Sequence, residues 1–308
     1  MNYGPVIFLA AFFALAGSWF GFVLTPQMQV GHLQQTNTIP AGALYPVARP
    51  GLARQGLDIY RANGCAYCHS QQVGQIGTVC DVLLTDAGTN QPALLEALLK
   101  VRQDGGQPLS EAAAKQLLAA LPKPVLQGVT KEVADTAVKA LAVGDAKPSL
   151  WLVPVGSDIA RGWGLRHSVA EDFLFDDTVM LGSQRIGPDL ANVGVRLSDP
   201  KWHLLHLYAP RSLVNGSTMP PYRFLFEKRR IERAPTSDAL PLPAPPGYEI
   251  VPKPEAKALA AYLASLRADA PLWEAPVTVP ASVPPADTNA PAGGTAITNS
   301  APTNPPAK

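Results

Sequence analysis

Cys65-Ala66-Tyr67-Cys68-His69 sets two thiols three residues apart, with an imidazole directly after the second. On a helical turn, positions i and i+3 share one face. Cys65 and Cys68 are therefore spaced to meet the two vinyl groups of one porphyrin, and His69 can then turn its ring toward the iron. One such motif implies one covalently attached haem. Two other chemistries use the same residue types. A zinc knuckle needs two further Cys or His ligands at short spacing, whereas the remaining thiol is Cys80 and the next histidine is the distant His167. A thioredoxin-like dithiol needs a βαβ surround, and no such pattern flanks residue 65.

An electron-transfer haem needs its sixth position filled, because an open position admits exogenous ligands. Met28 lies close to the apolar N-terminal run and Met180 precedes a Gly-Pro segment. Met219 stands in NGSTMPPYRF, where Pro220 and Pro221 hold an extended loop. Met219 is the expected second ligand, with bis-histidine ligation through His203 or His206 as the rival. Those two histidines lie on a short helix, KWHLLHLYAP, opened by Asp199 as N-cap and Pro200 at the first position. Their spacing also suits a metal pair, but a second metal would want further carboxylate or thiolate ligands. Histidine and methionine together raise the potential of a haem, which suits a respiratory carrier.

The elements that must position these residues are legible in outline. The chain has 308 residues, 47% of them hydrophobic, enough for one large domain or two small ones. A net charge of +1 points neither to nucleic acid nor to an acidic substrate. The first Lys, Arg, Asp or Glu is Arg49, and the run PVIFLAAFFALAGSWFGFVL, residues 5–24, could cross a bilayer core of about 30 Å as a helix. A cleaved signal peptide would carry a basic n-region, a shorter apolar run and a small-x-small site soon after it. We therefore read residues 1–24 as a retained transmembrane anchor. Lys and Arg are absent from both flanks, so charge does not orient it. Haem attachment does: it takes place on the outer side of a bacterial inner membrane, which puts the N-terminus in the cytoplasm and residue 65 in the periplasm. Cys80 then has no thiol partner.

Residues 25–50, rich in Gln and Pro, read as an extended linker. GLARQGLDIYRANGCAYCH reads as a helix into the motif, with Leu52, Gly56, Ile59 or Tyr60, and Asn63 along one face. PEAKALAAYLASLRAD starts with Pro254 and sets Leu259, Tyr262, Leu263 and Leu266 on one stripe. These two helices should pack together, with Gly56 allowing close approach and Tyr60 and Tyr262 at the crossing. Residues 75–158 read as an insertion with its own small helical core, carrying helices around Leu94–Leu99, Ser110–Leu121 and Thr130–Leu141. Residues 271–308, dense in Pro, Ala, Thr and Asn, read as a disordered tail.

Taken together, the membrane helix, GCAYCHSQQV, RGWGLRHSVAEDFLFD, GSQRIGPDLANVG, WHLLHLYAPRSLVNGSTMPPYRF and GYEIVPKPEAKALAAYLASLR resemble the monohaem cytochrome c subunit, subunit II, of the C-family, cbb-type haem-copper cytochrome c oxidases. The resemblance implies a mainly α protein: one transmembrane helix and a periplasmic class I cytochrome c domain over residues 51–270, with the insertion as a departure from the family. It implies one haem c on Cys65 and Cys68, His69 and Met219 on the iron, and the Pro188 carbonyl accepting the His69 Nδ1 hydrogen. Arg185, beside that loop, would compensate a haem propionate. The implied role is electron relay, with no oxygen chemistry in this chain. Its implied partners are a catalytic haem-copper subunit, an additional cytochrome c subunit and a soluble donor cytochrome. The anchored monohaem subunit of a nitric oxide reductase shares the layout, and a non-haem scaffold stapled by a disulfide or zinc is the alternative from another class.

Overall fold

Pro5 opens the first helix, where a missing N–H costs nothing, and helix α1 (Gly4–Trp19) follows. It runs through a π-helical stretch, Phe20–Leu24, into α2 (Thr25–Val30). The π turn has a local cause. Pro26 supplies no N–H to the ladder, so the register slips by one and the Thr25 N–H reaches the Phe20 carbonyl, which the Thr25 hydroxyl also meets at 2.9 Å. The computed structural model describes residues 3–39 and 42–277. Among them, Gly4–Gln29 is the one helix long and apolar enough to cross a membrane. Phe8, Phe13 and Phe22 are all exposed, so no protein core covers it. The helix passes residue 24, where the sequence reading placed its end.

The segment that follows is not a free tether. Strands β1 (Thr36–Asn37) and β2 (Leu44–Tyr45) pair antiparallel. Tyr45 is buried, and its hydroxyl donates to Asp172 at 2.7 Å. Asp172 also holds the wholly buried Arg166 through bonds of 2.7 and 3.0 Å, and Arg166 donates onward to the carbonyls of Ala270 (2.6 Å) and His167 (2.9 Å). Arg49 pairs with Asp176, and the Ile39 N–H bonds the Pro271 carbonyl. Leu272 and Ala275 are buried against Tyr45 and Val169. The domain thus extends past residue 270, through part of the segment predicted to be tail. The rest of that segment, 278–308, lies outside the described residues.

Helix α3 (Gly51–Ala62) buries Ala53, Gly56, Leu57 and Tyr60. Gly56 and Tyr60 lie on it as predicted, whereas Ala53 and Leu57 are buried in addition and Leu52 is exposed. Next comes the insertion. It holds β3 (Gly77–Leu84), α4 (Gln91–Asp104), α5 (Glu111–Ala119), β4 (Lys123–Val129), α6 (Lys131–Leu141) and β5 (Pro148–Val155). The three expected helices are present, two of them capped by the Asn90 and Ser110 side chains. The insertion is nevertheless α/β and not purely helical. Its strands form an antiparallel sheet in the order β4-β3-β5, backing Val82, Leu84, Leu94, Leu98, Val125, Leu126 and Leu141 in a core of its own. Cys80 is buried in that core, on the insertion and apart from the Cys65 motif.

The chain returns through α7 (Ser157–Ala160), α8 (Val193–Arg196), α9 (Pro200–Tyr208) and α10 (Pro210–Leu213) to the antiparallel pair β6 (Phe226–Arg230) and β7 (Tyr248–Pro252), and ends in α11 (Pro254–Ser265). Helices α3 and α11 cross at Gly56, where a β-carbon would overlap the Ala258 carbonyl. The rings of Tyr60 and Tyr262 meet beside it at 5.3 Å. Leu57, Leu190, Leu204, Leu207, Ile250 and Leu259 complete this second core. The Gly56→Ala substitution should force the helices apart and cost about 3 kcal/mol, seen as a lower urea midpoint. An unchanged midpoint would contradict so close a crossing.

Candidate functional site

Helix α3 stops because Gly64 takes a left-handed conformation, φ +68°. A short 3-10 turn, Cys65–Tyr67, follows, in which the N–H groups of Cys68 and His69 both bond the Cys65 carbonyl, at 3.2 and 3.0 Å. The turn brings Cys65, Cys68 and His69 to the wall of one cleft. Burial pushes the Cys65 thiol up to about 11, well away from the reactive thiolates of redox sites.

A second loop, residues 181–190, is laid along the motif by backbone bonds. The Gln71 N–H bonds the Leu181 carbonyl, Ser183 bonds Ala66, Gly187 bonds Cys68, and Leu190 bonds Ser70, all between 2.8 and 3.1 Å. This register sets His69 Nδ1 2.8 Å from the Pro188 carbonyl. A carbonyl only accepts, so Nδ1 carries the proton and Nε2 keeps its lone pair. Burial lowers the His69 pKa, against a smaller opposing effect of the Pro188 bond. Gly187 makes the approach possible, since a β-carbon there would overlap the imidazole.

Met219 lines the same cleft from the loop after α10, a loop fixed where the Tyr222 N–H bonds the Leu207 carbonyl at 2.8 Å. The cleft deepens into an apolar pocket walled by Leu190, Val193, Leu207, Leu259 and Leu263. The two helical histidines differ. His203 is buried, with Nε2 spent on the Leu197 carbonyl at 2.8 Å. His206 stacks on Trp202 at 4.8 Å, lines the cleft, and has a buried Nδ1 without a partner among the described residues. Burial first, then His69 and His203, push its pKa down to about 4, so it is neutral at pH 7. No group of His, Cys, Asp and Glu among the described residues could hold a separate metal ion.

The structure therefore brings Cys65, Cys68, His69, Pro188 and Met219 together. Arg185 is placed elsewhere, bonded to Ser70, Gln72 and Asp158. The basic residue on the pocket wall is Arg196, which sequence reasoning missed. Its Nη2 bonds the Asp189 carbonyl while its buried Nε has no partner among the described residues, and burial lowers its pKa. Its only sequence signal was a basic residue ending the short helix VGVR.

Residues 151–242 match the family model described as cytochrome c oxidase, mono-heme subunit/FixO. The match bears out the resemblance to the cbb-type monohaem subunit. It spans Arg185, Pro188, Arg196, His206 and Met219, and begins after the Cys65–His69 motif. No curated protein matches the chain.

The Gly187→Val substitution is expected to push the His69 ring off the Pro188 carbonyl. By NMR, the protected Nδ1 proton should disappear, whereas Gly77→Ala, which meets only an ordinary contact with Val155, should leave it in place. A Gly187→Val chain that keeps the proton would refute the register described.

Proposed function

We propose that the chain is a membrane-anchored monohaem c-type cytochrome that relays electrons to the catalytic subunit of a cbb-type oxidase. The observation that carries this reading is the convergence of Cys65, Cys68, His69 and Met219 on one cleft, with His69 Nδ1 already committed to a carbonyl. The residues fit the group. Two thiols one turn apart would hold a porphyrin by thioethers, and His69 Nε2 and the Met219 thioether would bind its iron. The apolar pocket would exclude water from the ring. The Nε of Arg196, without a partner among the described residues, would be a cationic donor for a propionate, and an anion there would offset the desolvation its guanidinium already bears. Bound haem supplies one-electron oxidation and reduction.

With both His69 and Met219 to hold the iron, the group would serve electron transfer, and oxygen reduction would fall to the haem-copper partner. The buried links from Arg166 and Arg49 tie the domain to the segment leaving the membrane helix. Covalent haem places that domain in the periplasm and the N-terminus in the cytoplasm of a bacterial inner membrane. A further cytochrome c subunit and a soluble donor cytochrome are the partners this layout suits. The family match favours an oxidase over a nitric oxide reductase. A zinc staple fits poorly, since Cys80, the one remaining thiol, sits in the separate core of the insertion.

Met219→His in membranes from a respiring host provides the test. The haem should remain attached, the far-red sulfur-to-iron absorption band should vanish, and the midpoint potential should fall. Each fall of about 59 mV is tenfold in the one-electron equilibrium, so oxygen reduction by the co-purifying complex should slow. A band that persists would remove Met219 from the iron, and a complex that reduces nitric oxide but not oxygen would replace the oxidase reading.

A further inference from the structure

The geometry points to Arg185 as a positioning residue that holds the Pro188 carbonyl against the His69 imidazole and so tunes the haem from outside the cleft. The inference rests on the haem reading above and concerns residues that reading leaves without a role. Arg185 stands in the middle of the 181–190 loop. Its Nε donates to the Ser70 hydroxyl at 3.0 Å, its Nη1 to Asp158 at 2.9 Å, and its Nη2 to the Gln72 carbonyl. Ser70 in turn donates to Asp189 at 2.5 Å, and the same carboxylate accepts the Gln72 N–H at 2.8 Å and the Ala191 N–H at 2.8 Å. Asp189 follows Pro188 directly in the chain. A continuous brace thus runs from Asp158 through Arg185 and Ser70 to the residue next to the carbonyl that orients the ring.

The brace depends on the shape of arginine as well as its charge. Both carboxylates are buried, with Asp158 at 2% and Asp189 at 0% side-chain exposure. Arg185 is paired with the first at 2.8 Å and lies 4.0 Å from the second, and a lost cation would strip the buried Asp158 carboxylate of its ion pair. The planar guanidinium reaches the hydroxyl, the carboxylate and the carbonyl at once, whereas a lysine would bring the same charge to a single point. The outer hydrogen bond of an axial histidine sets the ring's orientation and basicity. A firm Nδ1–H bond to Pro188 makes His69 a stronger donor and favours oxidised iron, while a loose one raises the midpoint potential. The same brace closes the neck of the insertion, because Asp158 also accepts the Gly74 N–H at 2.7 Å.

Arg185→Lys separates shape from charge. In the full chain carrying haem, the His69 Nδ1 proton of the reduced form should exchange with solvent at least about tenfold faster than in the wild type. The midpoint potential should rise, with haem still attached. Asp158→Asn, which removes only the far end of the brace, should give the same faster exchange, and it decides the question if the lysine variant does not mature. Arg229→Lys, at the Glu249 pair on the β6 and β7 hairpin, should change neither quantity. Wild-type exchange rates in both brace variants would overturn the role of Arg185 and leave the haem reading standing. A wild-type chain that carries no haem would overturn both.

Discussion

The hydrogen bond between the His69 ring and the Pro188 carbonyl is the constraint on which the site depends. It selects the tautomer, leaves Nε2 with its lone pair and fixes the ring's direction. Nothing local to the Cys65 motif supplies it. It exists because residues 181–190 are laid along residues 66–71 by four backbone bonds, with Gly187 leaving room for the imidazole. Helices α3 and α11 crossing at Gly56, with Leu57, Leu259 and Leu263 beneath, form the base on which the motif and its cleft rest.

The buried group of Tyr45, Arg166 and Asp172 joins the chain after the apolar N-terminal helix to the 166–172 loop and to the segment after α11. Removing one member of so buried an ion pair is costly, on the order of 3–5 kcal/mol. Residues 36–49 are therefore packed on the domain and are not a free tether. The insertion departs from this economy. Its core is separate, and it joins the rest through a narrow neck at Gly74 to Asp158.

The parts of this arrangement legible in the sequence are those written in contiguous residues. CAYCH is a local motif, the membrane run is a local composition, and the stripe Leu259, Tyr262, Leu263 and Leu266 has a helical period. Met219 stood out because methionines are few and two prolines stiffen its loop. What escaped was non-local. The sheet of the insertion pairs residues 39 to 78 positions apart, and each strand alone gives only a short apolar run that also reads as helix or loop. Tyr45 and Asp172 are 127 positions apart, so residues 25–50 looked like a linker. Arg185 and Arg196 are both arginines near the same loop, and only the fold shows which one reaches the pocket.

Bonding of one haem to Cys65 and Cys68 is decided by the intact mass of the mature chain under denaturing conditions. The polypeptide should be heavier by one haem, with the added mass on the peptide that contains residues 65–69 and resistant to extraction by acidified organic solvent. A mass equal to the polypeptide alone, from a host that matures other c-type cytochromes, would contradict it.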